Sequence, residues 1–60
     1  MAKVTIELPD DQAEALAQMC KRIDYAAMRE VSSSDAAVRP LDRGLWTLRK
    51  ALAAAGFEPR

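Results

Sequence analysis

Apolar and polar side chains alternate over the first eight residues. This pattern predicts a half-buried β-strand over residues 3–8. A lone strand has no ladder partner within its own chain, so it needs a second copy or another protein to pair its backbone. The two faces of the strand are Val4, Ile6 and Leu8 on the apolar side, and Lys3, Thr5 and Glu7 on the polar side.

A helical pattern follows over residues 10–23. Pro9 suits the start of a helix, and the acidic side chains of Asp10 and Asp11 are stabilised by the positive end of the helix dipole. The apolar residues are then spaced by three, four and three, which predicts one amphipathic helix. They are Ala13, Leu16, Cys20 and Ile23.

The second half of the chain predicts a connection over residues 24–34 and a second helix over residues 35–55. Residues 25–30 favour a helix, so this segment either extends the first helix or forms a separate turn. Pro40 implies that the second helix begins near it or is kinked there. Gly56 suits a left-handed helix cap, after which Phe57 folds back onto Leu52 or Ala53. The apolar stripe of the second helix is Val38, Leu41, Leu45, Leu48, Leu52 and Ala55.

Composition favours a dimer. The chain has 60 residues and is half hydrophobic by count, but 12 residues are Ala, so one copy fills only a small core. One Cys and no His exclude an internal disulfide and the usual metal sites, which leaves oligomerisation as the added source of stability. The same lack of His, with so short a chain, argues against an enzyme, and no cofactor is expected.

The segment over residues 3–16, KVTIELPDDQAEAL, resembles the start of a ribbon-helix-helix protein. That resemblance implies a mostly α single domain over residues 1–60, built as an intertwined homodimer with an intermolecular two-stranded antiparallel ribbon. It also implies a dimeric DNA-binding regulator of the repressor or antitoxin type, reading DNA through the paired strands. Lys3, Thr5 and Glu7 would enter the major groove. The phosphate-holding residues would be Ser32, Ser33 and Ser34.

The dimer interface expected from this arrangement is apolar. Trp46 lies just off the stripe, so it either fills the dimer core, the favoured interpretation, or stands exposed as an anchor for a partner protein. The expected interface residues are Val4, Ile6, Leu8, Leu41, Leu45, Trp46, Leu48 and Leu52.

Charge supports a second hypothesis. The net charge is zero, and Lys3 and Glu7 would face each other across the ribbon, so the DNA-reading face would cancel its own charge. The alternative is a protein-binding module with Asp10, Asp11 and Glu14 facing a basic partner. In size and neutral charge the chain is similar to phage- or plasmid-encoded inhibitors of bacterial defence complexes, of the anti-CRISPR or anti-restriction type.

Two further features concern location and the basic residues. Neither a leader nor a membrane-spanning segment is evident, which predicts a cytoplasmic protein with Cys20 as a free thiol in the core. Basic residues outnumber acidic ones over residues 39–60, a distribution that would supply a basic stripe or simply a solvated face.

Overall fold

The computed structural model describes residues 1–58, which form three helices in chain order. These are α1 (Asp10–Arg22), α2 (Tyr25–Val31) and α3 (Asp35–Ala54). Both α1 and α2 pack against α3. The molecule is flat, with extents of 32 × 28 × 15 Å.

The predicted N-terminal strand is wrong, and with it the ribbon-helix-helix fold. Residues 1–9 have no regular secondary structure, and no strand occurs anywhere within residues 1–58. The physical reason is that a strand is completed by a ladder partner, which this chain does not offer. One apolar residue of the alternating segment, Leu8, nevertheless packs against the core.

Helix α1 agrees closely with its predicted range and ends one residue early. Its first turn contains Asp10 and Asp11 and its last contains Lys21 and Arg22, so both ends match the helix dipole. The backbone N–H of Ile23 donates to Met19 (2.9 Å), closing the final turn. Two small residues of α1, Ala13 and Ala17, face inward, which lets α3 approach closely.

Helix α2 occupies most of the segment predicted as a connection. Asp24 caps it, because its carboxylate accepts a hydrogen bond from the backbone N–H of Ala27 (2.9 Å). At the other end the hydroxyl of Ser32 donates to the carbonyl of Met28 (2.6 Å). Both ends of this seven-residue helix are therefore held by side chains.

Helix α3 runs unbroken through Pro40. Proline lacks an N–H and deprives the carbonyl of Ala36 of its partner, but both residues are exposed and water can replace it. At the C-terminal end, Gly56 has φ +101°. The N–H of Phe57 donates to Leu52 (2.9 Å) and that of Gly56 to Ala53 (3.0 Å), which is the Schellman arrangement. The predicted glycine cap and the return of Phe57 to Leu52 are confirmed.

The core is small and lies along α3. Two buried alanines of α1 meet Leu52, and within residues 1–58 no large side chain is completely buried. The prediction that Cys20 lies in the core is confirmed, since it is only 9% exposed. The buried residues are Ala13, Ala17, Cys20, Met28, Val38 and Leu52, with Leu8, Leu16, Leu48 and Phe57 packed partly buried around the Leu52 end.

Candidate functional site

The three residues expected to read DNA bases lie outside any regular element. Lys3, Thr5 and Glu7 are exposed on the N-terminal segment, and no strand presents them on a common face. Without the ribbon, Lys3 and Glu7 do not form the expected cross-strand pair. The structure therefore brings none of these side chains together as a groove-reading surface.

The serine run joins α2 to α3 and does not form an anion cradle. The hydroxyl of Ser32 is used to end α2, and Ser34 precedes α3 without a side-chain cap bond. Asp35, in the first turn of α3, forms an ion pair with Arg29. A carboxylate thus already stands where a phosphate would meet the positive end of the helix dipole.

The acidic residues proposed to face a basic partner lie at the start of α1. Asp10, Asp11 and Glu14 are all exposed. Asp10 and Asp11 stabilise the first turn of α1, and Asp11 also accepts a bond from the backbone N–H of Gln12 (2.9 Å). The stability of α1 therefore explains why Asp10 and Asp11 are acidic, without a binding partner.

The residues expected at a dimer interface fall into three groups on the single chain. Leu52 is buried in the core of the single chain. The exposed members are Val4 (79%), Ile6 (58%) and Trp46 (58%). The half-buried members are Leu8, Leu41, Leu45 and Leu48.

Trp46 is the most distinctive exposed side chain of α3. It is the only tryptophan of the chain, and 58% of its surface is accessible to solvent. The guanidinium carbon of Arg49 lies 5.6 Å from the centre of its ring, within the range of a cation–π interaction. The ring and the guanidinium, with Lys50, Ala53 and Glu58, line a shallow depression.

Basic side chains lie on the same side of α3 as this tryptophan. Arg39, Arg43, Trp46 and Lys50 are spaced by four, three and four residues, so they share one side of α3. We call these four residues together with Arg49 the Trp46 face. Asp42 and Glu58 are the acids on the same side, so four positive charges there stand against two negative ones. The sequence spacing groups these basic residues with Trp46, but it does not show that Trp46 is exposed, because that exposure depends on how α3 is rotated against α1.

A second surface of α3 is apolar. It is a groove between the N-terminal segment and the C-terminal half of the helix, and every residue that lines it is apolar. We call it the apolar groove. Its lining residues are Ile6, Leu8, Ala13, Leu48, Ala51, Leu52, Ala55 and Phe57.

Cys20 has the chemistry of a buried thiol. Burial raises its pKa above the ordinary value, and the positive charge of Arg49 offsets part of that rise. The neutral thiol is therefore favoured at neutral pH, which disfavours a nucleophilic role.

Within residues 1–58 no three Cys, Asp or Glu side chains are grouped so that they could hold a metal ion. No helix of the described part of the chain has the length and apolar character needed to cross a membrane.

These features define a small helical protein with an exposed aromatic and cationic surface and a separate apolar groove. A family of unknown function, DUF7706, matches residues 1–60, and the chain therefore belongs to that family. No curated protein and no solved structure matches the chain. The family match gives no support to the ribbon-helix-helix resemblance.

Proposed function

We propose that this protein is a protein-binding module that docks an acidic partner protein through the Trp46 face. The observation that supports the proposal is the exposure of Trp46 beside Arg49. Tryptophan and arginine are the residues most enriched among the energetic anchors of protein interfaces. With 58% of its surface exposed, the indole keeps much of its apolar surface free for contact with a partner.

The charges around Trp46 favour an acidic partner. Arg39, Arg43 and Lys50 are exposed on the same side of α3 as the indole. A cationic rim around an aromatic anchor speeds encounter with an acidic surface and suppresses basic partners. The acidic residues at the start of α1 suit a basic partner, but they lack an aromatic or arginine anchor.

DNA reading through paired N-terminal strands is not proposed, since it depends on the ribbon. Inhibition of a bacterial defence complex stays a prediction from size and charge. Such a role would require the kind of protein surface described here.

The test is capture from the native host on the tagged full chain after nuclease treatment, with wild type, Trp46→Ala and Tyr25→Ala compared. Tyr25 is a matched control because it is an aromatic residue with 60% exposure that lies on α2. We expect wild type and Tyr25→Ala to retain an acidic protein that Trp46→Ala loses. Removing an anchor costs about 2 kcal/mol or more, which weakens binding by roughly 30-fold.

The identified partner is then purified and titrated directly, with Lys50→Glu as a second variant. We expect Lys50→Glu to weaken binding and added salt to weaken it in wild type. Equal retention by wild type and Trp46→Ala, or retention of nucleic acid alone before nuclease treatment, would contradict the proposal.

A further inference from the structure

The apolar groove is left open by the single chain. Ala13 and Leu52 form its buried floor. Ile6 is 58% exposed, and Ala51 and Ala55 are exposed beside it. No charged or polar side chain lines the groove, so water gains few hydrogen bonds there and an apolar surface would replace it favourably.

The total surface of the chain is too large for a compact monomer. Its accessible surface is 5049 Å² for a mass of 6.6 kDa. A folded monomer of that mass exposes about 3,900 Å², so the excess is about 1,200 Å². A standard protein interface buries about 800 Å² on each partner. The radius of gyration agrees, at 12.1 Å against about 10.4 Å for a compact chain of this length.

The side of α3 that borders the groove suits a second helix. Gly44, Leu48, Ala51 and Ala55 are spaced by four, three and four residues, which is the spacing of a helix–helix seam. Three of the four are small, so another helix axis could come close. Nothing lies within 4 Å of the position that a Cβ on Gly44 would occupy, so that approach is open.

We propose that two copies of the chain form a homodimer in which each copy covers the apolar groove of the other. The occupant is a second copy because the excess surface of about 1,200 Å² is enough for the roughly 800 Å² that a standard interface buries on each partner. A two-fold arrangement lets the same seam of α3 serve both copies. The N-terminal segment joins this interface through Ile6 and Leu8 as part of the groove wall, without forming a strand.

The Trp46 face is not used by this dimer. Trp46 and Ala51 are five residues apart, which places them about 140° apart around the axis of α3. The dimer therefore leaves both copies of Trp46 open. Failure of partner capture would overturn the proposed function alone, and failure of dimerisation would overturn this inference alone.

The test measures mass by sedimentation equilibrium over a wide range of protein concentration. The variants are Ala51→Lys, in the groove, and Ala54→Lys, on the same helix but outside the groove lining. Both positions are exposed and both lie near the C-terminal end of α3, where a lysine suits the helix dipole. Ile6→Ser is a third variant, which changes no helix.

We expect wild type and Ala54→Lys to reach twice the monomer mass. Ala51→Lys and Ile6→Ser should remain monomeric at concentrations at least about tenfold higher, because each replaces apolar contact with a polar group at the interface. Thermal unfolding of wild type should also shift upward with protein concentration, and this shift should vanish in Ala51→Lys. A wild type that stays at monomer mass throughout overturns the proposal and leaves the groove to a different protein. Equal effects of Ala51→Lys and Ala54→Lys overturn it as well.

Discussion

At the scale of single residues, we expect the two glycines of the chain to respond in opposite ways to replacement by alanine. Gly56 has φ +101°, a conformation that costs a residue with a Cβ roughly 1 kcal/mol. Gly44 lies inside α3 with open space around it, and alanine there gains about 0.5–1 kcal/mol of helix stability. We therefore expect Gly56→Ala to lower the free energy of unfolding and Gly44→Ala to raise it. Urea unfolding at low protein concentration measures both, and a change of the same sign in the two variants would contradict the assignment.

The sequence predicts one of these glycines better than the other. Gly56 is followed by an apolar residue and then by Pro59, a local pattern that is typical of a helix end. The surroundings of Gly44 depend on how α3 packs, and no local pattern contains that information. The burial of Cys20 is also predicted by a local pattern, because Cys20 lies on the apolar stripe of α1.

At the scale of elements, the N-terminal caps of α2 and α3 differ in one hydrogen bond. Asp24 accepts a bond from the N–H of Ala27, whereas Ser34 occupies the same position before α3 without a side-chain bond. We expect Asp24→Ala to destabilise the protein by about 1 kcal/mol, because it leaves a helix N–H unpaired. Ser34→Ala is the matched control and should change the unfolding free energy by much less. Thermal unfolding followed by circular dichroism checks the pair, and equal losses would show that the Asp24 bond contributes little.

There is a physical reason why the sequence predicts α1 and α3 correctly but predicts a strand that does not form. Helices α1 and α3 are determined by hydrogen bonds within each segment and by apolar stripes, which the sequence displays directly. A strand over residues 3–8 depends on a partner far away in sequence or in another chain, so alternation alone does not determine it. Helix α2 is intermediate: the sequence shows its helix propensity, whereas the capping bond of Asp24 is seen only in the structure.

At the scale of the whole molecule, the arrangement of surfaces depends on the rotation of α3. The sequence supplied the basic residues, the tryptophan and the apolar stripe, but not which sides of α3 stay open. Packing of α1 against Leu52 buries one side of α3, leaves the apolar groove open along the edge of that core, and leaves the Trp46 face exposed elsewhere on the helix. The DNA-reading surface predicted for the ribbon depended on a different contact, the pairing of two strands, and no strand forms within residues 1–58.

The lone tryptophan reports which of these surfaces a second copy covers. If the dimer forms through the apolar groove, Trp46 stays in water, and its emission maximum and its quenching by acrylamide should not change over the concentrations at which the mass doubles. Binding of an acidic partner should instead shift the emission to shorter wavelength and reduce quenching, because the indole loses contact with water. In the dimer the signal is unambiguous because the chain has no other tryptophan. A shift to shorter wavelength that accompanies dimerisation would place Trp46 in the dimer core, as the apolar pattern of the sequence favours, and would contradict the separation of the two surfaces.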